Sequence, residues 1–318
     1  MILKKNFIYE NNSNSYSLAI GNFDGIHLGH KYILKKLKKY KKNDKDKIAV
    51  LTFNPHPVKV LQPNRWKKNI IKFRAKYRLL KKMDIDVLFQ IPFTLSFSNY
   101  SARFFIDQIL IKNIQAKNIL VGEDFRFGKN REGDIGLLKE YADDNKFNLE
   151  YFNKKGIKDD IYSSSRIRKF ISKGDMIKAS LYLGYYWEVE GKVVPGRSKG
   201  RELGFPTANL NYSYQISPSN GIYAGWVKLE GESIWRMGAI SSGTRPHYKG
   251  IKKILEVHLL FFSDNLYKRR LRVAFIEKIR DELVFDNEKS LIDQMQKDCQ
   301  IIKRVLKKKL IYKDNQGL

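Results

Sequence analysis

Two histidines, His27 and His30, lie three positions apart in the segment GNFDGIHLGH at positions 21–30. The apolar run at 16–20 predicts a buried strand before them, and the apolar spacing among the following lysines predicts an amphipathic helix. A strand, a glycine-containing turn and a helix N-terminus form a site for anions, because free backbone N–H groups and the helix dipole point at it. Imidazoles there could donate hydrogen bonds to the negative charge that develops on a polyphosphate.

The histidine pair alone could be incidental, and Asp24 with Gly25 could form an ordinary turn. A second segment argues for a site. TFNPHP at positions 52–57 ends another apolar strand, at a spacing typical of a βαβ unit. We therefore expect both segments at the carboxyl ends of parallel strands, where α/β folds bind ligands.

Two further loops in the first half carry suitable side chains. In VGEDFRFG at 121–128, aromatic residues around Arg126 could stack a planar ring system, or they could pack onto the core. In SSSRIR at 163–168, hydroxyl groups and arginines open a helical pattern. They could grip phosphate, with Arg168 holding two oxygens, or the serines could only cap the helix.

The second half contains a basic loop with three glycines, GRSKGRELGFPTAN at 196–209. The Thr207 hydroxyl and the Asn209 carbonyl are hard oxygen ligands that suit Mg²⁺ bound to nucleotide phosphates, although the segment could be a plain glycine-rich turn. Glu256 lies in LEVHLLFF, where alternation could put it outside or, as a general base of raised pKa, inside. The P-loop and dinucleotide fingerprints are absent from the sequence.

A formal charge of +28, from 61 Lys and Arg against 33 Asp and Glu, would suit binding to nucleic acid or an anionic membrane. The lysines are spread along the whole chain, however, and Lys, Asn and Ile, all with A/T-rich codons, are enriched together. We therefore expect no nucleic-acid and no membrane partner. A basic nucleic-acid binder remains the non-enzymatic alternative, which predicts steeply salt-dependent duplex binding.

Other compositional features favour a cytoplasmic protein. No apolar run reaches the ~20 residues that span a bilayer, and no secretory signal is visible at the N-terminus. The single cysteine, Cys299, excludes an internal disulfide and a multi-cysteine zinc cluster.

The pattern of elements predicts two domains in the 318 residues. Residues 1–183 alternate strands and helices, which indicates a parallel sheet wrapped by helices. Residues 184–318 contain short β-rich runs and a terminal helix at 290–311, typical of an antiparallel barrel or sandwich. The predicted strands are 17–21, 48–53, 87–91, 118–122, 148–152, 187–194, 221–229, 256–262 and 271–279, and the predicted helices before the last are 30–42, 72–83, 102–112 and 137–144.

Seven segments, taken in order, resemble the prokaryotic bifunctional riboflavin kinase/FMN adenylyltransferase family, the bacterial FAD synthetases. They are GNFDGIHLGH, TFNPHP, VGEDFRFG, SSSRIR, GRELGFPTANL, PSNGIYAG and GTRP, and the resemblance covers roughly residues 15–310. It implies a Rossmann-like nucleotidyltransferase domain at 1–183 and a β-barrel riboflavin kinase domain at 184–318. The barrel would phosphorylate riboflavin with ATP, and the first domain would transfer AMP from a second ATP to FMN, giving FAD and pyrophosphate. ATP would be the co-substrate, Mg²⁺ or another divalent cation the cofactor, and the protein a monomer or transient oligomer.

The resemblance also implies roles for single residues in the first domain. His27 and His30 would stabilise charge at the α-phosphate of ATP, while Ser164 and Arg168 would grip the β,γ-phosphates. The other nucleotide-binding positions would be Gly21, Phe23, Gly29 and Asn54, and the flavin-binding positions His56, Asp124, Phe125 and Phe127.

In the second domain Glu256 would activate the ribityl hydroxyl, and Thr207 and Asn209 would bind Mg²⁺ and phosphate. Gly196 and Gly204 would line the phosphate loop, and Arg245 would contact the flavin. The resemblance implies no covalent enzyme intermediate, because phosphoryl transfer depends on positioning and charge neutralisation.

Four positions depart from the family pattern. Asn54 stands where the family commonly has an acidic residue, and His247, which precedes the aromatic Tyr248, stands where the family usually has a threonine. Phe261 replaces an aspartate, and Lys268 replaces a turn glycine. Because these changes cluster in the kinase half, an enzyme that has kept only the adenylyltransferase activity is the alternative enzymatic prediction.

Overall fold

The structure is a computed structural model. It describes residues 1–6, 15–153, 156–157, 160–196, 199–247 and 250–309, and for 156, 157, 160, 199, 245–247 and 250–252 it describes the backbone alone. The chain divides into two compact units. The first unit comprises Met1–Lys67 and Lys76–Ser163, and the second comprises Lys68–Ala75 and Ser164–Leu318.

The first unit is built on a six-stranded parallel sheet in the order β1-β4-β3-β2-β5-β6. The strands are β1 (Ile2–Lys4), β2 (Ser15–Ile20), β3 (Asp46–Phe53), β4 (Val87–Ile91), β5 (Ala116–Gly122) and β6 (Asn148–Phe152). Central strands of such sheets are covered on both faces and therefore read as continuous apolar runs. In β3, the four residues from Ile48 to Leu51 are all fully buried.

Helices connect these strands. They are α1 (Leu28–Leu37), α2 (Pro57–Leu61), α3 (Phe73–Lys82), α4 (Leu95–Ser98), α5 (Ala102–Phe104), which continues as a π-helix over Phe105–Asn113, and α6 (Ile135–Asp143); β7 (Gly156–Ile157) and β8 (Asp160–Ile161) form a two-stranded ribbon. In α1 the apolar spacing buries Leu34 and Leu37 while the intervening lysines stay outside. The amphipathic pattern at 30–42 thus forms a helix, but it ends at Leu37 and is followed by a 3₁₀ turn at Lys38–Tyr40.

The strand order reverses beside β2, because β3 lies on one side of it and β5 on the other. A ligand site in an open α/β sheet lies outside the carboxyl ends of the strands at such a point. The loops that follow β2, β3, β4 and β5 all leave from this edge.

The second unit contains a closed barrel in the order β10-β13-β12-β11-β14-β9, with every neighbouring pair antiparallel. Its elements are α7 (Ser164–Lys173), α8 (Met176–Leu183), β9 (Glu188–Val194), α9 (Lys199–Glu202), β10 (Ala208–Asn211), β11 (Gly221–Leu229), β12 (Trp235–His247), β13 (Gly250–Leu259), β14 (Arg270–Arg280) and α10 (Glu288–Lys308). Residues alternate between the inside and outside of such a wall. In β13, Leu255 and Val257 are fully buried, and the residue between them is not.

Helix α10 covers the outer apolar face of the barrel with Ile302 and Leu306. Asn287 caps its N-terminus by accepting a hydrogen bond from the Ser290 amide. Farther along, the guanidinium of Arg280 in β14 makes a two-point ion pair with the buried Asp298 of α10, with Nη2–Oδ2 2.7 Å and Nε–Oδ1 3.0 Å. Apolar burial and this ion pair together attach α10 to β14.

The predicted fold, an α/β first part with a parallel sheet and a second part formed by an antiparallel barrel and a terminal helix, is confirmed. The strands at 87–91, 148–152 and 221–229 have the predicted bounds. The barrel strands β10 and β12 and the edge strand β1 were not predicted. The division of the chain at residue 183 remains a prediction, and the two contact units split it elsewhere.

Candidate active sites

The loop between β2 and α1 is conformationally strained. Phe23 and the β-branched Ile26 have φ angles of 46° and 39°, in the left-handed region that such side chains rarely adopt. Both are almost fully buried, with 2% and 0% exposed surface. Strain of this kind persists only where the surroundings hold it, and it clusters at functional sites.

His27 caps the N-terminus of α1. Its Nδ1 accepts a hydrogen bond from the His30 amide at 3.4 Å, so the ring proton lies on Nε2, which is a donor. The two imidazoles stack with centroids 3.7 Å apart. A Cβ on Gly29 would lie 3.2 Å from the His27 ring, so glycine leaves the imidazole the space it occupies. Next to them, a Cβ on Gly21 would lie 3.4 Å from the Phe23 ring, and that ring lies 5.0 Å from the His30 ring.

Both imidazoles are held in the neutral form. Burial lowers the pKa of His27 to about 4. Burial also lowers the pKa of His30 well below its ordinary value, and electrostatic interactions with His27 and Lys76 lower it further. At neutral pH the pair therefore offers N–H donors to an anion and no net charge.

Lys76 of α3 is a charged group at this site that was not predicted. Its Nζ donates to the Asn22 carbonyl at 2.7 Å and lies 3.4 Å from the Thr52 hydroxyl. Burial lowers the pKa of Lys76 to about 8, against the opposing effect of Asp24. In a chain with 61 lysines and arginines, one lysine on a predicted helix carries no distinguishing signal.

The loop after β3 brings Asn54 and His56 to the same edge of the sheet. Asn54 is exposed, and its backbone N–H donates to the Ile91 carbonyl of β4 at 2.9 Å. His56 caps α2, and its Nδ1 accepts from the Val58 amide at 3.2 Å. Its remaining nitrogen, Nε2, is thus also a donor.

A chain of aromatic rings lies beside this loop, at the carboxyl ends of β3 and β4. Neighbouring rings have centroids 4.2–5.8 Å apart; the members are Phe53, Phe93, Phe97, Tyr100 and Phe104. The last two are 39% and 36% exposed. We call this set the aromatic cluster. The sequence did not single it out, and it offers apolar ring faces to a planar ligand.

The loop after β5 separates its two phenylalanines. Phe127 is 8% exposed and packs on Phe105 at 5.4 Å, so it belongs to the core. Phe125 stacks on Phe127 at 5.3 Å and remains half-buried. Asp124 is exposed beside it. Of the predicted flavin-binding pair, Phe125 is thus the more accessible ring.

Ser164 begins α7, and Arg168 lies one turn later. The Arg168 Nε donates to the Lys68 carbonyl at 3.0 Å. Both residues belong to the second unit, whereas His27 and His30 belong to the first. Their common grip on one triphosphate remains a prediction.

In the barrel, Asn209 of β10 and Glu256 of β13 are directly paired residues of antiparallel strands. Paired residues project to the same face, with Cβ atoms about 5 Å apart. Because Leu255 and Val257 face the interior, Glu256 and Asn209 lie on the outer wall. Of the two orientations that the sequence left open for Glu256, the structure shows the outer one.

The glycine-rich loop is fitted to Asn209 and Thr207. A Cβ on Gly196 would overlap the Asn209 amide, and one on Gly200 would lie 2.5 Å from the Phe205 carbonyl and 3.3 Å from the Thr207 hydroxyl. Gly204 has a φ of 82°, which a side chain would strain. Among the described residues, no three His, Cys, Asp or Glu side chains cluster to hold a metal. A neutral hydroxyl and amide instead fit Mg²⁺, which commonly takes few protein ligands and completes its shell with water and substrate phosphate.

His258, which sequence reasoning passed over, lies on the same outer face as Glu256. Its Nδ1 is 2.9 Å from the Pro206 carbonyl, and its ring meets Phe205 edge-on at 5.5 Å. Because a carbonyl only accepts, Nδ1 carries the proton. His258 thereby holds the residue that precedes Thr207.

The departures from the family pattern have uneven structural consequences. Phe261 and Lys268 both have left-handed backbones, with φ 60° and 65°, and Phe261 is 81% exposed. Lys268 therefore takes the conformation for which a glycine was expected. The side chains of Arg245 and His247, and the whole of Tyr248, lie outside the described residues.

The comparisons with known proteins cover both units. Residues 9–166 match the FAD synthetase family and residues 183–306 match the riboflavin kinase family. The bifunctional riboflavin kinase/FMN adenylyltransferase of Buchnera aphidicola from Schizaphis graminum is 36% identical over 92% of this chain and 94% of its own length. The same enzyme of Escherichia coli K12 is 34% identical over 88% of this chain and 90% of its own length.

A solved structure, that of a macrolide-efflux protein from Streptococcus pneumoniae, has a TM-score of 0.83 and 29% identity over 95% of this chain and 98% of that one. In the described part of the present chain, no helix has the length and apolar character needed to cross a membrane. Two family matches in succession, each on the unit whose architecture suits it, and full-length relatives above 30% identity place this chain in the bifunctional riboflavin kinase/FMN adenylyltransferase family.

Proposed function

We propose that two sites carry the two reactions of the family. The site of His27 and His30, called the histidine site, catalyses adenylyl transfer, and the site of Asn209 and Glu256 catalyses phosphoryl transfer. The protein is an ATP-dependent enzyme of flavin cofactor synthesis, which phosphorylates riboflavin to FMN and adenylylates FMN to FAD. Its small-molecule substrates are riboflavin, FMN and ATP. The observation that carries the residue assignment is that each match contains one coherent polar site, at the sheet edge or on the barrel wall.

In adenylyl transfer, a phosphate oxygen of FMN attacks the α-phosphorus of ATP, and the bond to the β-phosphate oxygen breaks, releasing pyrophosphate. His27 and His30 donate neutral N–H groups to the α-phosphate as charge develops there. Gly21, Phe23 and Gly29 shape the loop around the nucleotide. Ser164 and Arg168 are proposed as phosphate ligands, and Asn54 lines the pocket of the histidines.

In phosphoryl transfer, the 5′-hydroxyl of riboflavin attacks the γ-phosphorus of ATP, and ADP leaves. Glu256 accepts the hydroxyl proton, and Asn209 beside it holds phosphate oxygen. Thr207 and Asn209 are the residues that would hold Mg²⁺, which supplies positive charge to the phosphates when bound. Gly196 and Gly204 keep the loop close to these side chains.

The isoalloxazine of FMN lies against aromatic side chains at the sheet edge. Phe125 and the exposed rings of the aromatic cluster give it apolar faces, and His56 and Asp124 supply polar contacts at its rim. Phe127 supports Phe125 from the core.

The remaining parts of the assignment rest on composition and on the nature of the substrates. We assign the protein to the cytoplasm, where ATP is available, as a monomer or transient oligomer. Nucleic acid and membranes are not among its partners.

Product analysis tests the assignment. Incubation with ATP and Mg²⁺ should convert riboflavin to FMN and FAD, and FMN to FAD, as separated by chromatography. Glu256→Gln should abolish FMN formation and leave FAD synthesis from FMN, whereas His30→Ala should do the reverse. Equal loss of both reactions in either variant would contradict two separate sites.

A further inference from the structure

The Lys76 ammonium group holds the peptide at which the strained turn begins. The Asn22 carbonyl accepts hydrogen bonds from the Lys76 Nζ at 2.7 Å and from the Thr52 hydroxyl at 3.1 Å. The next residue is Phe23, whose backbone is left-handed. Two donors on one carbonyl thus fix the backbone five residues before the helix cap His27.

Two titratable groups interact with Lys76, one in the turn after β2 and one in α1. Asp24, in the turn after β2, is 4% exposed and favours the ammonium form, and His30 in α1 feels the ammonium charge directly. Asn22 and Thr52 are its uncharged partners. Keeping a cation in this buried position is costly, and a neutral donor would suffice to satisfy a carbonyl. The hydrogen bond to the carbonyl therefore does not explain why this residue is charged.

Two buried polar atoms beside Lys76 lack hydrogen-bond partners within the described residues. They are the Nδ1 of His30 and the side-chain oxygen of Asn22. Such atoms are rare in folded proteins, and each one needs an explanation. Lys76 contacts Asn22 through its backbone carbonyl and interacts electrostatically with His30. Both residues lie at the loop between β2 and α1, where we expect an anion to bind.

We propose that Lys76 is a positioning residue for adenylyl transfer: its ammonium group fixes the strained turn before His27 and places a positive charge beside His30. This rests on the proposed assignment of FMN adenylylation to the histidine site. A triphosphate that reaches the two neutral imidazoles meets this charge, which water screens little because the group is buried. Lys76 thus supplies the cation that the histidines do not.

A purely structural role makes a different prediction. If Lys76 only stabilises the fold through the loop, replacing it should lower FAD synthesis only as far as it lowers the thermal unfolding midpoint. If its charge also serves the reaction, Lys76→Met should lose FAD synthesis at temperatures well below its own unfolding midpoint, where the variant is folded. Lys81→Met is the matched control, because Lys81 is an exposed lysine of the same helix.

We expect Lys76→Met to lower kcat/KM for FMN adenylylation at least 100-fold and to leave riboflavin phosphorylation within twofold of wild type. Lys81→Met should leave both reactions within twofold. A wild-type chain that makes no FAD from FMN would refute the proposed function. A Lys76→Met variant that keeps FAD synthesis within threefold of wild type, or that loses it only at temperatures where the variant unfolds, would refute the role of Lys76 alone.

The pH profile separates charge from shape. Wild-type kcat/KM for FMN should fall as the pH rises above about 8, where Lys76 loses its proton. Lys76→Arg, which stays charged, should extend the plateau by at least one pH unit. Burial also lowers the pKa of Lys31 to about 8, so Lys31→Arg must leave the basic limb in place. An unmoved limb in Lys76→Arg would overturn the proposal.

If the bulkier arginine is inactive, chemical rescue decides. Lys76→Cys in a Cys299→Ser background leaves one thiol, since Cys299 is the single cysteine. Alkylation with 2-bromoethylamine restores an ammonium group, and alkylation with iodoacetamide gives a neutral side chain. Recovery of FAD synthesis with the first reagent alone supports the proposal, and equal recovery or none with both overturns it.

Discussion

The imidazoles of His27 and His30 stack with their planes 21° apart, and the Nδ1 of the first accepts from the amide of the second. The pair is therefore bound into the start of α1. A protonated imidazole at His27 would lose this accepted hydrogen bond and would carry charge into a buried place. Acid should thus act on the fold through these residues.

The pH dependence of stability tests this directly. The pKa of His27 is about 4 when folded and about 6.5 when unfolded. In the intervening range the unfolded chain binds a proton that the folded chain does not, so the free energy of unfolding falls as the pH is lowered. Stability from this source is complete above about pH 6.5 and is reduced by about 3 kcal/mol at pH 4.

His27→Asn keeps a favourable helix cap and removes the titration. Between pH 7.5 and 4.5, wild type should lose about 2.5 kcal/mol more unfolding free energy than this variant, measured by urea unfolding followed by circular dichroism. Parallel losses in the two proteins would show that His27 does not titrate in this way.

The contact between Gly196 and Asn209 predicts a selective kinase defect. Gly196→Ala should displace the Asn209 amide and lower the rate of riboflavin phosphorylation about 10- to 100-fold, because small misplacements of a phosphate ligand are costly. FAD synthesis from FMN should be unchanged. In an Asn209→Ala background, the same Gly196→Ala change should add little further loss. Full additivity in this double-mutant cycle would mean that the glycine acts by another route.

His258 should act on the kinase through the Pro206 carbonyl. His258→Leu should lower kcat for riboflavin phosphorylation about tenfold and raise the Mg²⁺ concentration needed for half-maximal rate, because Thr207 loses its support. His258→Asn retains an N–H donor and should recover most of the rate. If Leu and Asn behave alike in kinetic assays, the hydrogen bond is not the reason for the histidine.

Lys268 offers a stabilising substitution. Its φ of 65° strains a residue with a Cβ, and its side chain is exposed. Lys268→Gly should raise the free energy of unfolding by about 0.5–1 kcal/mol, the strain relieved less the entropy that glycine adds to the unfolded chain. Lys268→Ala keeps the strain and should bring no gain in thermal unfolding. A Gly variant no more stable than the Ala variant would exclude backbone strain as the cause.

Much of the fold follows from local patterns. The buried strand before His27 and the amphipathic helix after it were predictable because apolar periodicity and burial agree there. Strand β10 was missed because it has four residues after a proline, and β12 because small and polar residues such as Gly238, Ser241 and Ser242 interrupt its apolar pattern.

The sites were predictable only in part, because strand register and contacts between residues distant in sequence cannot be inferred from a local sequence pattern. Alternation left the face of Glu256 open until the pairing with Asn209 was known. In the sequence Lys76 resembles every other lysine on a helix, and only its hydrogen bond to the Asn22 carbonyl in the structure distinguishes it. His258 likewise depends on a carbonyl 52 residues away in sequence.

Helix α10 has a consequence for truncated chains. Hydrogen bonding around the closed barrel needs no help from the C-terminus, but the wall beneath Ile302 and Leu306 is apolar, with Trp226, Ala274 and Ile276 buried there. A chain that ends before Glu288 would form a barrel with complete backbone pairing but with an exposed apolar surface on one side. Such a product would be prone to self-association, so a premature stop near the end of the coding sequence should yield aggregates rather than a free kinase module.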